Sequence, residues 1–415
     1  MKNEKVVKFG GSSLSDSEKT AAAVRILEED ESRTVAVLSA PGKSKEERQK
    51  VTDALLSAWA GDTDAYDAVC ARFRAIAAAF GIGDADTEEI LCHLPPPDAL
   101  FCRALGRDHY ISRGEYCMAR LFARIIGWQF VDAAELIVFD EDGRYDQKAS
   151  EKKIRRTLKP GCRYVIPGFY GGTPSGVIRT FPRGGSDTTG AIIAAAMGMR
   201  YENLTDVGGV YCADPRILPD AARLPAISHR EMRFLSHFGA GVLQEDTLLP
   251  AASEGIPIRL GLAETGGRDG SDILPLVPDR PLFYARSGRC GYTLLSVVKR
   301  SPEGGDIAKV LLTVNGCGIG TEAVTAFSDE VLLLLESRQL AGLRRRLLHR
   351  LFRGVHPDHA VFRDGVAVLA MIGEAPLTRF REEGIPILAC FSQAGRRLVC
   401  VGEELLDAAI RIENR

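Results

Sequence analysis

Short apolar, β-rich runs alternate with stretches of helical spacing through the first 275 residues, and this alternation constrains the fold more than any other feature. Runs at 6–9, 34–39, 129–131, 163–166, 203–205 and 257–260 read as strands. Segments 17–31, 46–60, 63–80, 114–127, 150–158 and 187–199 read as helices, with Ser15 and Asp16 available to cap the first. Strands that recur singly between helices pair through helical crossovers, not hairpins. The expected fold class is therefore α/β, with a mainly parallel sheet buried on both faces. Pro95-Pro96-Pro97 breaks the helical stretch and reads as a surface turn.

After residue 265 the pattern changes. Gly266, Gly267, Gly270, Pro275, Pro278 and Pro281 mark a linker. The division expected is 1–275 and 282–415. In the tail, strands are expected at 293–298, 324–326, 331–335, 366–371, 385–391 and 398–401, and helices at 306–313, 339–352, 376–383 and 403–412. This reads as two βαββαβ units, the second one strand short. A strand at 282–285, ahead of the first unit, would complete it and make the two units nested. The run Arg344-Arg345-Arg346 with His349 and Arg350 reads as a solvated helix face.

Composition narrows the function classes. The 415 residues suit two or three domains, and 45% hydrophobic with 26% charged residues is globular. A net charge of −2 gives no reason to expect nucleic acid or an anionic membrane as partner. No apolar leader and no run of 18 apolar residues is present, so a cytoplasmic protein is expected. Ten cysteines without a C-x-x-C pattern read as reduced, mostly buried thiols, and the seven histidines form no ligand-like cluster.

Five stretches of the first part carry chemistry. Val6-Val7 runs into Lys8-Phe9-Gly10-Gly11-Ser12-Ser13, which brings a fixed positive charge and bare backbone N–H groups to one strand end, as an oligophosphate requires. No G-x-x-x-x-G-K-[ST] and no G-x-G-x-x-G is present, so an ordinary strand-to-helix turn is the alternative. Leu38-Ser39-Ala40-Pro41-Gly42-Lys43, followed by Val51-Thr52-Asp53, is a second post-strand loop. Ser112-Arg113-Gly114-Glu115 reads as the opening of a helix, where Glu115 is either functional or a dipole-capping residue. Arg183-Gly184-Gly185-Ser186-Asp187-Thr188 precedes an apolar helix. It offers a planar guanidinium, free N–H groups and two glycines, with Ser186 or Asp187 as alternative caps. Thr205-Asp206-Val207-Gly208-Gly209-Val210-Tyr211 with Asp214-Pro215-Arg216 suits a nucleotide, or is a plain loop.

In this order and composition the five stretches resemble the aspartate kinases of the amino-acid kinase superfamily. The likeness runs on through Ile227-Ser228-His229-Arg230-Glu231-Met232 and Ile256-Pro257-Ile258. It implies a three-layer αβα kinase domain followed by ACT-like regulatory units, and transfer of the γ-phosphoryl group of ATP to the β-carboxylate of L-aspartate. Lys8, Arg183 and Asp187 would be catalytic. Lys8, Gly10, Gly11, Ser186, Thr205, Asp206, Tyr211 and Arg216 would bind ATP, with Mg2+. Ser39, Thr52, Glu115 and Arg183 would hold aspartate, Arg183 on the α-carboxylate and Glu115 facing the α-ammonium. A homodimer or higher homo-oligomer held partly by 282–415, and an amino-acid effector at Arg300-Ser301-Pro302-Glu303-Gly304-Gly305-Asp306, are also implied. Two departures stand out. Gly239-Ala240-Gly241-Val242-Leu243-Gln244 lacks the Lys and His that many members carry at 241 and 244, and Leu262-Ala263 replaces a polar pair. They keep open a catalytically weak, amino-acid-sensing paralogue, beside another amino-acid kinase of the same fold.

Overall fold

Val6, Val7 and Phe9 are fully buried because their strand, β1 (Lys5–Phe9), lies in the interior of an eight-stranded sheet. The structure is a computed structural model that describes residues 4–97, 104–182, 184–277, 285–298, 306–373 and 377–412. The remaining strands of the first part are β2 (Arg33–Leu38), β3 (Gln129–Phe130), β4 (Tyr164–Pro167), β5 (Tyr170–Gly172), β6 (Ile178–Thr180), β7 (Arg200–Thr205), β8 (Ala226–Ser228), β9 (Ile258–Leu262) and β10 (Ser271–Leu274). The sheet order is β3-β4-β2-β1-β7-β9-β10-β8, and only the β9–β10 pair is antiparallel. β2 is buried along its whole length, as a strand covered by helices on both faces must be. β5 and β6 form a separate small hairpin.

The order reverses at β1, with β2 on one side and β7 on the other. In such sheets the carboxyl ends of the strands beside the reversal leave a crevice between diverging loops. Helix Gly185–Met197 packs beside that point, against β1 and β7. Gly190 allows the approach: a Cβ there would lie 2.6 Å from the ring of Tyr201, which is fully buried on β7.

Several helix boundaries depart from expectation. The helix expected from 46 begins only at Val51 and ends at Trp59. The one expected from 114 begins at Arg107 and runs to Ile126. Gly114 is therefore interior, and a Cβ on it would press Ala40 and Val51 at 3.0 Å. Helices Asp84–Leu91 and Glu245–Ser253 were not expected.

Two compact units are present. The first comprises Met1–Val210, Arg223–Arg233 and Gly241–Pro278; the second comprises Tyr211–Ala222, Phe234–Ala240 and Asp279–Arg415. The last change of unit falls between Pro278 and Asp279, and two short segments within 1–275 belong to the second unit. Ala213 and Ala221 join its core with Leu369 and Val399, and Phe238 packs with Tyr292 and Leu294.

The second unit is a six-stranded antiparallel sheet of β11 (Ala285–Val298), β12 (Ala323–Ala326), β13 (Glu330–Glu336), β14 (His359–Ile372), β15 (Ala389–Gln393) and β16 (Arg396–Gly402), in the order β12-β13-β11-β14-β16-β15. β11 and β14 are each 14 residues long and serve two halves. Residues 292–298 of β11 pair β13 and the start of β14, while 285–289 pair the end of β14, which also pairs β16. The register shifts where the halves join, next to Gly291 (φ 94°) and Gly365 (φ 68°), a backbone region that suits glycine. The two halves have separate cores, one around Val310, Val314, Leu347 and Leu351, the other around Leu369, Phe380, Leu406 and Ile410. The nested arrangement is thus present. Its shared strand is the first half of β11, beginning where the expected 282–285 strand ends, and 282–284 lie outside the described residues. β14 starts seven residues before the expected 366.

Of the nine described cysteines, none in a disulfide, Cys70, Cys117, Cys317 and Cys400 are buried, while Cys92, Cys162 and Cys290 are exposed, so burial is less general than expected. No helix among the described residues is long and apolar enough to cross a membrane.

Gly190→Ala should lower stability by about 1–3 kcal/mol, because the added methyl meets a ring with no room to retreat. Urea unfolding measures this. An unchanged midpoint would show that the helix does not depend on that close approach.

Candidate active site

The loops that follow β1, β2, β4 and β7 open into one cleft of about 640 Å3. Lys8, near the end of β1, is only 6% exposed, and its Nζ lies 2.5 Å from Oδ1 of Asp187. Asp187 stands in the first turn of helix Gly185–Met197, whose main-chain N–H groups are aimed at the same space. Gly184 is the N-cap, at φ 76°, and makes no side-chain cap bond. Neither Ser186 nor Asp187 caps this helix; Asp187 is used on Lys8 instead. The Tyr201 hydroxyl donates to the Asp187 carbonyl at 3.0 Å.

Glycines let the backbones close on the cleft. The Gly42 N–H donates to the Gly11 carbonyl at 2.7 Å, and a Cβ on Gly42 would come within 2.5 Å of Gly11 C. A Cβ on Gly168 would lie 2.5 Å from Ser186 Cβ. Phe169, which follows it into the lining, holds φ 81°, a strained value for a phenylalanine; its N–H donates to the Thr189 hydroxyl at 3.1 Å.

Glu115 also lines the cleft, from the interior of its helix and not from its first turn. It is 4% exposed, and Oε2 has no hydrogen-bond partner among the described residues. Burial pushes its carboxyl up to about 8, opposed by the Ala40 backbone N–H and the nearby Arg113. Arg113 does not neutralise it. Its guanidinium lies 4.4 Å from the centre of the Tyr116 ring and donates to the Ser112 hydroxyl. A carboxyl held in this way is poised for a cation that arrives with a ligand.

The structure brings most of the sequence-derived candidates together. Lys8, Gly10, Gly11, Ser39, Thr52, Glu115, Ser186, Asp187, Thr205 and Asp206 all line the cleft. Arg183 lies outside the described residues, as do 300–305 of the effector loop. Tyr211 and Arg216 fall in the second unit and are not among the lining residues; the Arg216 side chain is 86% exposed and pairs with Asp214 at 2.6 Å. Lys43 and Lys50 line the cleft without having been singled out. So does Phe169, whose only sequence signal is the preceding glycine. The two departures read differently in three dimensions. A Cβ on Gly241 would meet open space, so no crowding explains the missing lysine. The Gln244 side chain lies against Gly184, 2.9 Å from where a Cβ would stand.

Ligand-free stability should fall between pH 5 and 8 through Glu115. An unfolded Glu ionises near 4.5, whereas the folded one keeps its proton to about 8, so over this interval rising pH favours the unfolded chain. Glu115→Gln should flatten the slope of stability against pH there, read from urea midpoints. An unaltered slope would show that Glu115 is not held neutral.

A sequence model described as the amino acid kinase family matches residues 3–261. Aspartokinase 3 of Bacillus subtilis is 28% identical over 403 residues, covering 89% of this chain and 86% of the relative. Lysine-sensitive aspartokinase 3 of Escherichia coli is 27% identical over 312 residues, 71% of this chain and 69% of its own. The aspartate kinase structure from Clostridium acetobutylicum is similar with a TM-score of 0.78 and 28% identity, over 99% of this chain and 98% of the other. Escherichia coli aspartokinase III, solved in complex with aspartate and ADP, has a TM-score of 0.71 at 24% identity over 98% of both chains, a likeness of fold.

Proposed function

The chain belongs to the amino acid kinase family, and we propose that it is an aspartate kinase, moving the γ-phosphoryl group of ATP onto the β-carboxylate of L-aspartate to give 4-phospho-L-aspartate and ADP. The observation that carries this reading is Glu115, a buried carboxyl without a cationic partner among the described residues, lining the same cleft as Lys8 and the glycine turn. An amino-acid substrate brings the missing cation as its α-ammonium. The aspartokinases similar to this chain support the same substrate.

The chemistry asks for little beyond placement. One oxygen of the aspartate β-carboxylate attacks the γ-phosphorus, and the bond from that phosphorus to the bridging oxygen of ADP breaks. The β-carboxylate is already ionised at neutral pH, so no proton is removed and no general base is required. Lys8 stabilises charge on the transferring group, and Asp187 fixes its ammonium. Gly11 and Ser186 present backbone N–H groups, while the Gly10 N–H is already given to the Leu204 carbonyl at 3.0 Å and Gly10 serves by its small size; Thr205 and Asp206 bound the nucleotide side. Ser39, Thr52 and Glu115 hold aspartate, with Arg183 on its α-carboxylate. Mg2+, when bound, would supply charge neutralisation to the polyphosphate. Among the described residues no three His, Cys, Asp or Glu side chains converge. Asp206, an exposed carboxylate in the lining, is the residue that would help hold the ion.

Mg-ATP, L-aspartate and hydroxylamine should yield aspartyl hydroxamate, and no hydroxamate from folded protein would overturn the reading in favour of a non-catalytic sensor. Lys8→Met should reduce kcat on the order of 10²-fold or more, since a preorganised charge on the transferring group is worth a few kcal/mol. Near-normal kcat would remove Lys8 from the mechanism. Aspartate binding at pH 7 should release protons as the ammonium restores Glu115 ionisation, seen as a buffer-dependent calorimetric enthalpy that Glu115→Gln abolishes.

The second unit serves regulation and assembly. We expect a dimer, and weak or absent inhibition by lysine or threonine, because the first of its nested halves departs most from the family pattern. Kinase rates at millimolar lysine or threonine test this. Strong inhibition below millimolar would show an intact effector site.

A further inference from the structure

We infer that Lys43 and Lys50 form the second half of the phosphate site, gripping the polyphosphate of the nucleotide from the side opposite the β1 turn. This rests on the kinase reading above. Both lysines line the cleft, and neither ammonium has a hydrogen bond or ion pair with any described residue. Lys8, by contrast, is committed to Asp187. Lys43 and Lys50 are therefore the uncompensated cations among the described lining residues, and a magnesium-bound nucleoside triphosphate still carries net negative charge.

The loop that bears them is built to hold them there. Its neck is closed by Val51 N–H donating to the Pro41 carbonyl at 3.0 Å, with Lys43 leaving one limb and Lys50 the other. The guanidinium of Arg72, 8% exposed, reaches the carbonyls of Gly42, Gln49 and Ser15 and so clamps both limbs to the segment after β1. A turn within the loop is closed by Ser44 N–H on the Glu47 carbonyl and Glu47 N–H on the Ser44 hydroxyl. The loop's carboxylates, Glu46 and Glu47, are not in the lining.

Folding does not account for the lysines. Lys50 is the N-cap of helix Val51–Trp59 and makes no cap bond. An ammonium cannot accept the free N–H groups of that turn, and its charge opposes the helix dipole, so Ser or Asp would serve stability better. Its placement is explained when an anion lies between the ammonium and those N–H groups.

The test uses the full chain and fluorescent methylanthraniloyl-ADP. Lys43→Ala and Lys50→Ala should each raise its Kd about tenfold, the worth of a charge-assisted contact, and the double variant should raise it further. The aspartate KM at saturating ATP should stay within twofold. Lys45→Ala, on the same loop but outside the lining, should leave the Kd unchanged. A double variant within twofold of the unaltered protein overturns the inference. A rise in aspartate KM without a change in nucleotide Kd also overturns it, moving the lysines to the acceptor. Equal losses with Lys45→Ala would show only a diffuse field. Nucleotide binding is read without turnover, so a protein that binds ADP but forms no hydroxamate would sink the aspartate-kinase reading and leave this one standing.

Discussion

Lys8 and Asp187 meet at 2.5 Å across the junction of two different elements. One ends the central strand and the other begins the helix beside it. Taking two such charges from water costs several kcal/mol per ion unless geometry is good, so the pair persists only where its surroundings hold it. Those surroundings are visible. Gly190 lets the helix reach the Tyr201 ring, the Tyr201 hydroxyl holds the Asp187 carbonyl, and Gly184 starts the helix from a left-handed conformation without using a side chain. Asp187 is thereby left for Lys8, and the helix N–H groups are left for a ligand.

Charge in the cleft is arranged in opposed pairs of need. Glu115 is short of a cation, and Lys43 and Lys50 are short of an anion. On the proposed reading, an amino-acid substrate and a polyphosphate cosubstrate would together satisfy both.

The sequence was legible where local pattern and global fold agree. The central strands lie within a few residues of their expected positions, since a buried parallel strand advertises itself as an apolar run. The lining residues Gly10, Gly11, Ser39 and Asp206 were legible because they follow strand ends, where topology collects them. What was missed has physical causes. The hairpin Tyr170–Gly172 with Ile178–Thr180 is too short to show alternation. Residues 46–50 are good helix formers, yet they form a loop because the buried guanidinium of Arg72, far along the chain, takes the carbonyls of Gly42 and Gln49. Ser112-Arg113-Gly114-Glu115 looked like a helix start because Gly114 resembles a boundary, whereas its missing side chain makes room for Ala40 and Val51. Lys43 and Lys50 carry no local signal at all, since exposed lysines are common and only the closed neck of the loop brings both to the cleft.

β11 and β14 run without interruption through both halves of the second unit. Two domains joined by a linker can be separated, exchanged or duplicated independently; two domains woven from the same strands cannot. Hydrogen-exchange protection in the two cores should accordingly be coupled, and a ligand that stiffens one half can reach the other only through the irregular register at Gly291 and Gly365.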